Sequence, residues 1–285
     1  MLKDAHTYRR IIVPITLAIL LLFAFAPAAL AASSAQPNWP TGLKQHYLAL
    51  GDSLAFGFQP NGDFTHGYVN DLFQIIQSEG VQDFTNYGCP GESSSTFIHG
   101  GCPAPGAPPP PYTQLGAALA FLQANAGKVS PITLDIGAND VLADTTITPS
   151  GCTVNRTKFD ADLATLNTNL TGTILPDLKA ALTINGRITG DLVLMNYYDP
   201  LQNICPNTVH FTQRLNAVLT TDTKAFGFFI VNVFGAFGGA ATPNPNICTY
   251  TWMCTPPPLG PNIHPTDTGY SVIANTFAAA LPDKQ

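Results

Sequence analysis

The sequence predicts an α/β fold, a mainly parallel sheet covered by helices on both faces. Three observations carry this. Short runs rich in Val, Ile, Leu and aromatic residues recur along the chain, longer segments with helical spacing of apolar residues separate them, and small-residue motifs follow several of the runs.

The first element lies outside that fold. A basic start with Lys3, Arg9 and Arg10, an apolar run from Ile11 to Phe25 and small residues through Ala31 and Ala32 read as an export signal. An uncleaved anchor is the competing reading, because Ile11 to Leu30 is barely long enough to span a bilayer. Pro14, Pro27 and the small residues before Ala32 favour cleavage. The division expected is a signal over 1–31 and one folded domain over 32–285, with no stable membrane span after cleavage and a secreted product. Removing 31 of 285 residues leaves 254, enough for a sizeable single core, with two small domains as the alternative.

His46 to Leu50 reads as the first strand, Asp83 to Tyr87 as the second, Ile132 to Ile136 as the third, Leu192 to Tyr197 as the fourth and Phe228 to Phe234 as the fifth. Between them, Tyr68, Leu72, Phe73 and Ile76 share a helical face. Phe159, Leu163, Leu166 and Leu170 form another, Leu215 and Val218 a third, and Tyr270, Ile273 and Phe277 the last. The proline-rich stretch Gly100 to Tyr112 has too few backbone donors for a helix or central strand and reads as a surface loop. An interdomain linker is less apt, since the strand–helix alternation resumes beyond it.

Charge and cysteines narrow the function. Loss of three cations and one anion with the signal takes the formal charge from −6 to −8, and no basic run remains, so nucleic acid is not an expected partner. Cys89, Cys102, Cys152, Cys205, Cys248 and Cys254 form an even set behind an export signal, the pattern of three disulfides, with six buried thiols as the alternative. None has the spacing of a zinc or redox site. No motif implies a metal or an organic cofactor, and a monomer is expected.

The chemistry lies at the strand ends. Gly51-Asp52-Ser53-Leu54 follows the first strand, Asn86-Tyr87-Gly88-Cys89-Pro90-Gly91-Glu92-Ser93 the second and Gly137-Ala138-Asn139-Asp140 the third, and Asn262-Ile263-His264-Pro265-Thr266 opens the last helical segment. Taken singly, Ser53 could be a helix N-cap, and Gly91 and Asn139 turn residues. Together the four blocks resemble the SGNH branch of the GDSL hydrolases, in order and over essentially the whole mature chain. The resemblance implies a three-layer α/β/α sandwich with a mainly parallel five-stranded sheet in the flavodoxin-like order 2-1-3-4-5. It also implies a serine esterase or lipase acting on small-molecule or lipid esters.

In that reading Ser53 is the nucleophile and His264 the general base that takes its proton. The N–H groups of Ser53 and Gly91 and the amide of Asn139 form the oxyanion hole. Asp52 and Asp140 are assigned local hydrogen bonds, and Phe56 and Phe58 are candidates for acyl-chain contact or for the wall of a pocket. His46, His66, His99 and His210 lack such context and are read as solvated or structural, with His66 and His99 candidates for a pocket mouth. Proximity and the resemblance suggest pairing Cys89 with Cys102, Cys152 with Cys205 and Cys248 with Cys254. The chain departs from the family pattern three residues before His264, where Pro261 replaces the usual aspartate. A main-chain carbonyl near Pro261 is the expected support for His264, with Asn262, Asp199 and Asp267 as alternatives. A carbohydrate O-acetyl esterase and a non-catalytic binding protein retaining the fold stay open as other functions.

Overall fold

The structure, a computed structural model, describes residues 41–107, 111–148 and 151–281. The export-signal reading therefore lies outside the described residues, as does part of the proline-rich stretch. Residues 101–107 of that stretch form neither helix nor strand, as expected.

Nine strands occur among these residues. β1 (His46–Gly51), β2 (Asp83–Asn86), β3 (Val129–Asp135), β8 (Leu192–Met195) and β9 (Phe229–Val231) make one parallel sheet in the order β2-β1-β3-β8-β9. This is the order 2-1-3-4-5 that the resemblance implies. β4 (Thr145–Thr148) pairs with β5 (Gly151–Val154) in an antiparallel hairpin, and β6 (Thr183–Ile184) with β7 (Arg187–Ile188) in a smaller one. Neither hairpin is predicted from the sequence.

β1, β8 and β9 read as short apolar runs because the sheet is covered on both faces, and all seven residues of β3 are buried, whereas the edge strand β2 has no buried residue and one apolar side chain, Phe84. β3 begins three residues earlier than its apolar run suggests. It accommodates Pro131 where its register against β1 shifts between His46 and Leu48, the kind of irregularity at which a central strand tolerates a residue without an N–H. The last strand is shorter than expected, because Asn232 caps a helical turn, its side chain accepting from the Gly235 N–H.

The helices are α1 (Ser53–Phe56), α2 (Tyr68–Gln77), α3 (Ser94–His99), α4 (Gln114–Ala124), α5 (Ala138–Val141), α6 (Arg156–Asn169), α7 (Leu175–Ala181), α8 (Thr208–Ala225), α9 (Val233–Ala236), α10 (Pro245–Tyr250) and α11 (Asp267–Ala278). The chain leaves β1 towards β2 through α2 and returns across β1 to β3 through α4. Right-handed crossovers in opposite directions place these helices on opposite faces. α11 joins α2, with Tyr68 stacked on Phe277 at 5.2 Å, while α7 packs against α4 and α6 against α8. The faces expected on α2, α6 and α11 are the ones buried. This sandwich brings the carboxyl ends of β1 and β3 together at the point where the strand order reverses, the usual place for a ligand in such sheets.

Candidate active site

β1 ends in a turn that only glycine can make. Gly51 has φ +139°, and a Cβ there would lie 2.3 Å from the Asp135 carbonyl oxygen. Asp52 then caps α1, accepting from the Leu54 N–H at 2.8 Å, so that Ser53 is the first residue of the helix and is 9 % exposed. The buried Asp135 grips the backbone on both sides of Ser53, since its Oδ2 accepts from the N–H groups of Asp52 and Ala55 at 3.0 and 3.2 Å and its Oδ1 from the Tyr68 hydroxyl at 2.6 Å. Burial pushes both carboxyls up, Asp135 furthest because the charge of Asp52 adds to the effect. Tyr197 donates to Asp52 at 2.9 Å. Sequence reasoning missed Asp135, because the backbone groups it holds lie 80 and 83 positions away in the sequence.

His264 arrives from a segment braced on Trp252. The Trp252 N–H donates to the His264 carbonyl at 3.0 Å, the Asn262 N–H to the Trp252 carbonyl at 3.1 Å, and the Tyr198 hydroxyl to the Ile263 carbonyl at 2.7 Å. Cys248 and Cys254 are bonded across this turn. His264 Nε2 lies 2.8 Å from Ser53 Oγ, and its Nδ1 lies 2.7 Å from Asn262 Oδ1. The same Oδ1 accepts from the His264 backbone N–H at 3.0 Å. A backbone N–H can only donate, which fixes the amide orientation. Nδ1 must then carry the proton, and Nε2 offers a lone pair to the serine hydroxyl.

This corrects the expectation of a main-chain carbonyl near Pro261, because the acceptor is the Asn262 side chain. An asparagine that bonds the backbone two residues on is an Asx turn, and here the turn carries its oxygen to the ring as well. The displaced carboxylates are engaged elsewhere: Asp199 accepts from the Leu201 N–H and the Thr208 hydroxyl, and Asp267 from the Gln59 amide. Phe58 packs on the imidazole with ring centroids 4.5 Å apart. Burial without a carboxylate partner lowers the His264 pKa to about 4.

Asn139, the second residue of α5, donates through Nδ2 to the Glu92 carbonyl at 3.0 Å. Gly91, just before Glu92, has φ +86°, and a Cβ there would meet Pro103 at 2.5 Å. Its glycine is therefore required by the loop itself, beside the bonded Cys89 and Cys102. Gln114, at the start of α4, joins this loop to the turn at Gly51. It accepts from the Gly51 N–H at 2.6 Å and donates to the Gly51 carbonyl at 3.0 Å and Glu92 Oε2 at 2.9 Å. Asp140 accepts from the N–H and hydroxyl of Ser94 and so holds α3 to α5.

Ser53, Asn139 and His264 line one cavity of about 800 Å³, its open mouth included, whose walls are mainly apolar, among them Leu142, Phe159, Leu201, Phe211 and Leu215. Gly91 does not line it, and neither do Phe56 and Phe58, so the acyl-chain role considered for those two rings is not supported. His46, His66, His99 and His210 also lie outside it. His46 and His66 bond Asp83 and Asp63, and His99 and His210 are exposed. Cys152 is bonded to Cys205, completing three bridges.

The GDSL-like lipase/acylhydrolase family matches residues 47–277. No curated protein matches the chain. Among solved structures the chain is similar to the acetylxylan esterase Axe2 from Geobacillus stearothermophilus, with 16 % identity and a TM-score of 0.53 over 85 % of this chain and 95 % of that one. A putative GDSL-like lipase from Parabacteroides merdae gives 15 %, 0.55, 85 % and 97 %. Phospholipase A1 from Streptomyces albidoflavus gives 16 %, 0.50, 83 % and 99 %. At these identities the likeness is one of fold.

Proposed function

We propose, from the premise that this chain belongs to the GDSL-like lipase/acylhydrolase family and is a carboxylic ester hydrolase, that it cleaves acyl-chain esters through an acyl-Ser53 intermediate. The observation that carries the reading is the 2.8 Å contact of Ser53 Oγ with an unprotonated Nε2 in the lining of an apolar cavity. Nε2 takes the hydroxyl proton as Oγ attacks the ester carbonyl carbon. Negative charge moves onto the carbonyl oxygen, and the Asn139 amide and the Ser53 N–H, both on residues that line the cavity, are its donors; the Gly91 N–H is a third donor by the resemblance alone, since Gly91 lies outside the lining. As the tetrahedral intermediate collapses, the proton on Nε2 passes to the leaving alkoxide and an acyl-Ser53 ester remains. Water then attacks that ester, giving a proton to Nε2, and collapse returns the proton to Ser53 and frees the carboxylic acid.

The apolar lining favours an aliphatic acyl group over an acetylated sugar, whose hydroxyls need polar partners. Ser53→Ala should remain folded and lose turnover of nitrophenyl esters, and full turnover in that folded variant would remove the proposal.

The same chain is read as exported, on the basic, apolar and small-residue order of its first 32 residues and on its six paired cysteines. Protein recovered from the culture medium should begin at Ala32, whereas an N-terminus at Met1 would contradict cleavage.

A further inference from the structure

The cavity does not end at the apolar residues beside Ser53. Its lining includes Leu142 and Thr145, the first residue of β4, and Leu201 in the turn segment after β8. Cys152 on β5 is bonded to Cys205 on that segment, so the cross-link ties the β4–β5 hairpin to the segment that carries Leu201. Ile147 stands directly across the hairpin from Cys152, and residues opposite each other in an antiparallel pair share a face. Ile204 adjoins Cys205, and its carbonyl is 3.8 Å from Cys152 Sγ. Both isoleucines therefore flank the disulfide.

Their exposure is unusual for this protein. Four large hydrophobic residues stand out as exposed among the described residues, and three of them, Leu142 (37 %), Ile147 (52 %) and Ile204 (53 %), lie along this outer edge. From Thr145 to Val154 the sequence carries no charged residue. An uncharged aliphatic edge on the two segments that supply Thr145 and Leu201 to the cavity offers nothing to a sugar and much to a hydrocarbon chain.

We propose that the rim formed by Ile147, Ile204 and the Cys152–Cys205 cross-link is an outer acyl subsite, which holds the distal part of a long aliphatic chain whose carbonyl lies at Ser53. The proposal rests on the acyl-chain reading of the cavity. The cross-link sets the separation of the two segments, and the isoleucines supply contacts that only a long chain reaches. Chain-length preference thus resides at the rim, while the chemistry at Ser53 is indifferent to it.

The test compares kcat/KM for acetyl, butyryl and dodecanoyl nitrophenyl esters, kept below micellar concentration, in the wild type, an Ile147→Ser/Ile204→Ser variant and a Cys152→Ala/Cys205→Ala variant. The wild type should prefer the dodecanoyl ester. The isoleucine variant should lose about tenfold on that ester and less than twofold on the acetyl ester, since each hydrocarbon contact discriminates by a factor of roughly ten or more. The cysteine variant should lose in the same selective way. If it fails to fold, the isoleucine variant, altered only at exposed positions, still decides the matter. Equal losses on all three esters, or none, would overturn the rim. A wild type that turns over the acetyl ester alone would remove the acyl-chain reading and the rim with it, and one that turns over none would remove the esterase mechanism itself.

Discussion

One oxygen of Asn262 meets both the backbone N–H and the ring Nδ1 of His264, so a neutral amide occupies the place of the usual carboxylate. It fixes the tautomer and the ring, but it brings no negative charge to stabilise an imidazolium. In the proposed mechanism protonation of His264 removes the base, and because burial holds its pKa near 4, the acid limb of kcat/KM should fall at about pH 4 and activity should persist through the ordinary histidine range. Asn262→Asp places a charge beside Nδ1 and should move that limb upward. Asn262→Ala loses the acceptor and should lower kcat on the order of 10²-fold, short of the ~10⁴-fold seen when a triad aspartate is replaced and the tautomer lost. An acid limb unmoved in Asn262→Asp would show that the amide does not govern the base. The sequence narrowed the orienting group to a carbonyl near Pro261 or one of three side chains; the Asn-x-His spacing is an Asx-turn signal that points to the Asn262 side chain. Asp135 and Gln114 stayed invisible because their roles depend on chain segments far apart in sequence.

At the scale of elements, β1, β8 and β9 were legible because a parallel sheet covered on both faces leaves a short apolar run bounded by turn residues. The β4–β5 hairpin was not, since Thr-rich strands on the surface lack that run, and α4 was hidden because its apolar residues spread around the helix. Yet α4 bears on the site. Its first residue, Gln114, is buried and bonds both polar groups of Gly51 as well as Glu92, whose carbonyl orients Asn139. Replacing it with methionine, similar in length, leaves those groups unpaired at roughly 1–3 kcal/mol each. It should also loosen the Gly51 turn against the Gly91–Glu92 loop, so that, under the proposed mechanism, kcat should fall about tenfold or more with KM little changed. A lowered melting temperature with kcat intact would make Gln114 structural only.

For the whole molecule, the sheet order followed from kinship, while the crossovers and the two helical layers follow from handedness once that order is set. The order brings β1 and β3 side by side, so that Ser53 and Asn139, 86 positions apart in the sequence, open on one cavity with His264. No helix among the described residues is long and apolar enough to cross a membrane. The account stands or falls on whether Ser53 is the atom that becomes acylated. A nitrophenyl alkylphosphonate, which captures an activated serine as a tetrahedral adduct, followed by peptide mass mapping, reads this directly. The account predicts one adduct per chain, on the peptide containing Ser53, with loss of activity in step and no label in Ser53→Ala. Inhibition with the adduct on any other residue, or complete esterase activity in a protein that takes up no phosphonate, would contradict it.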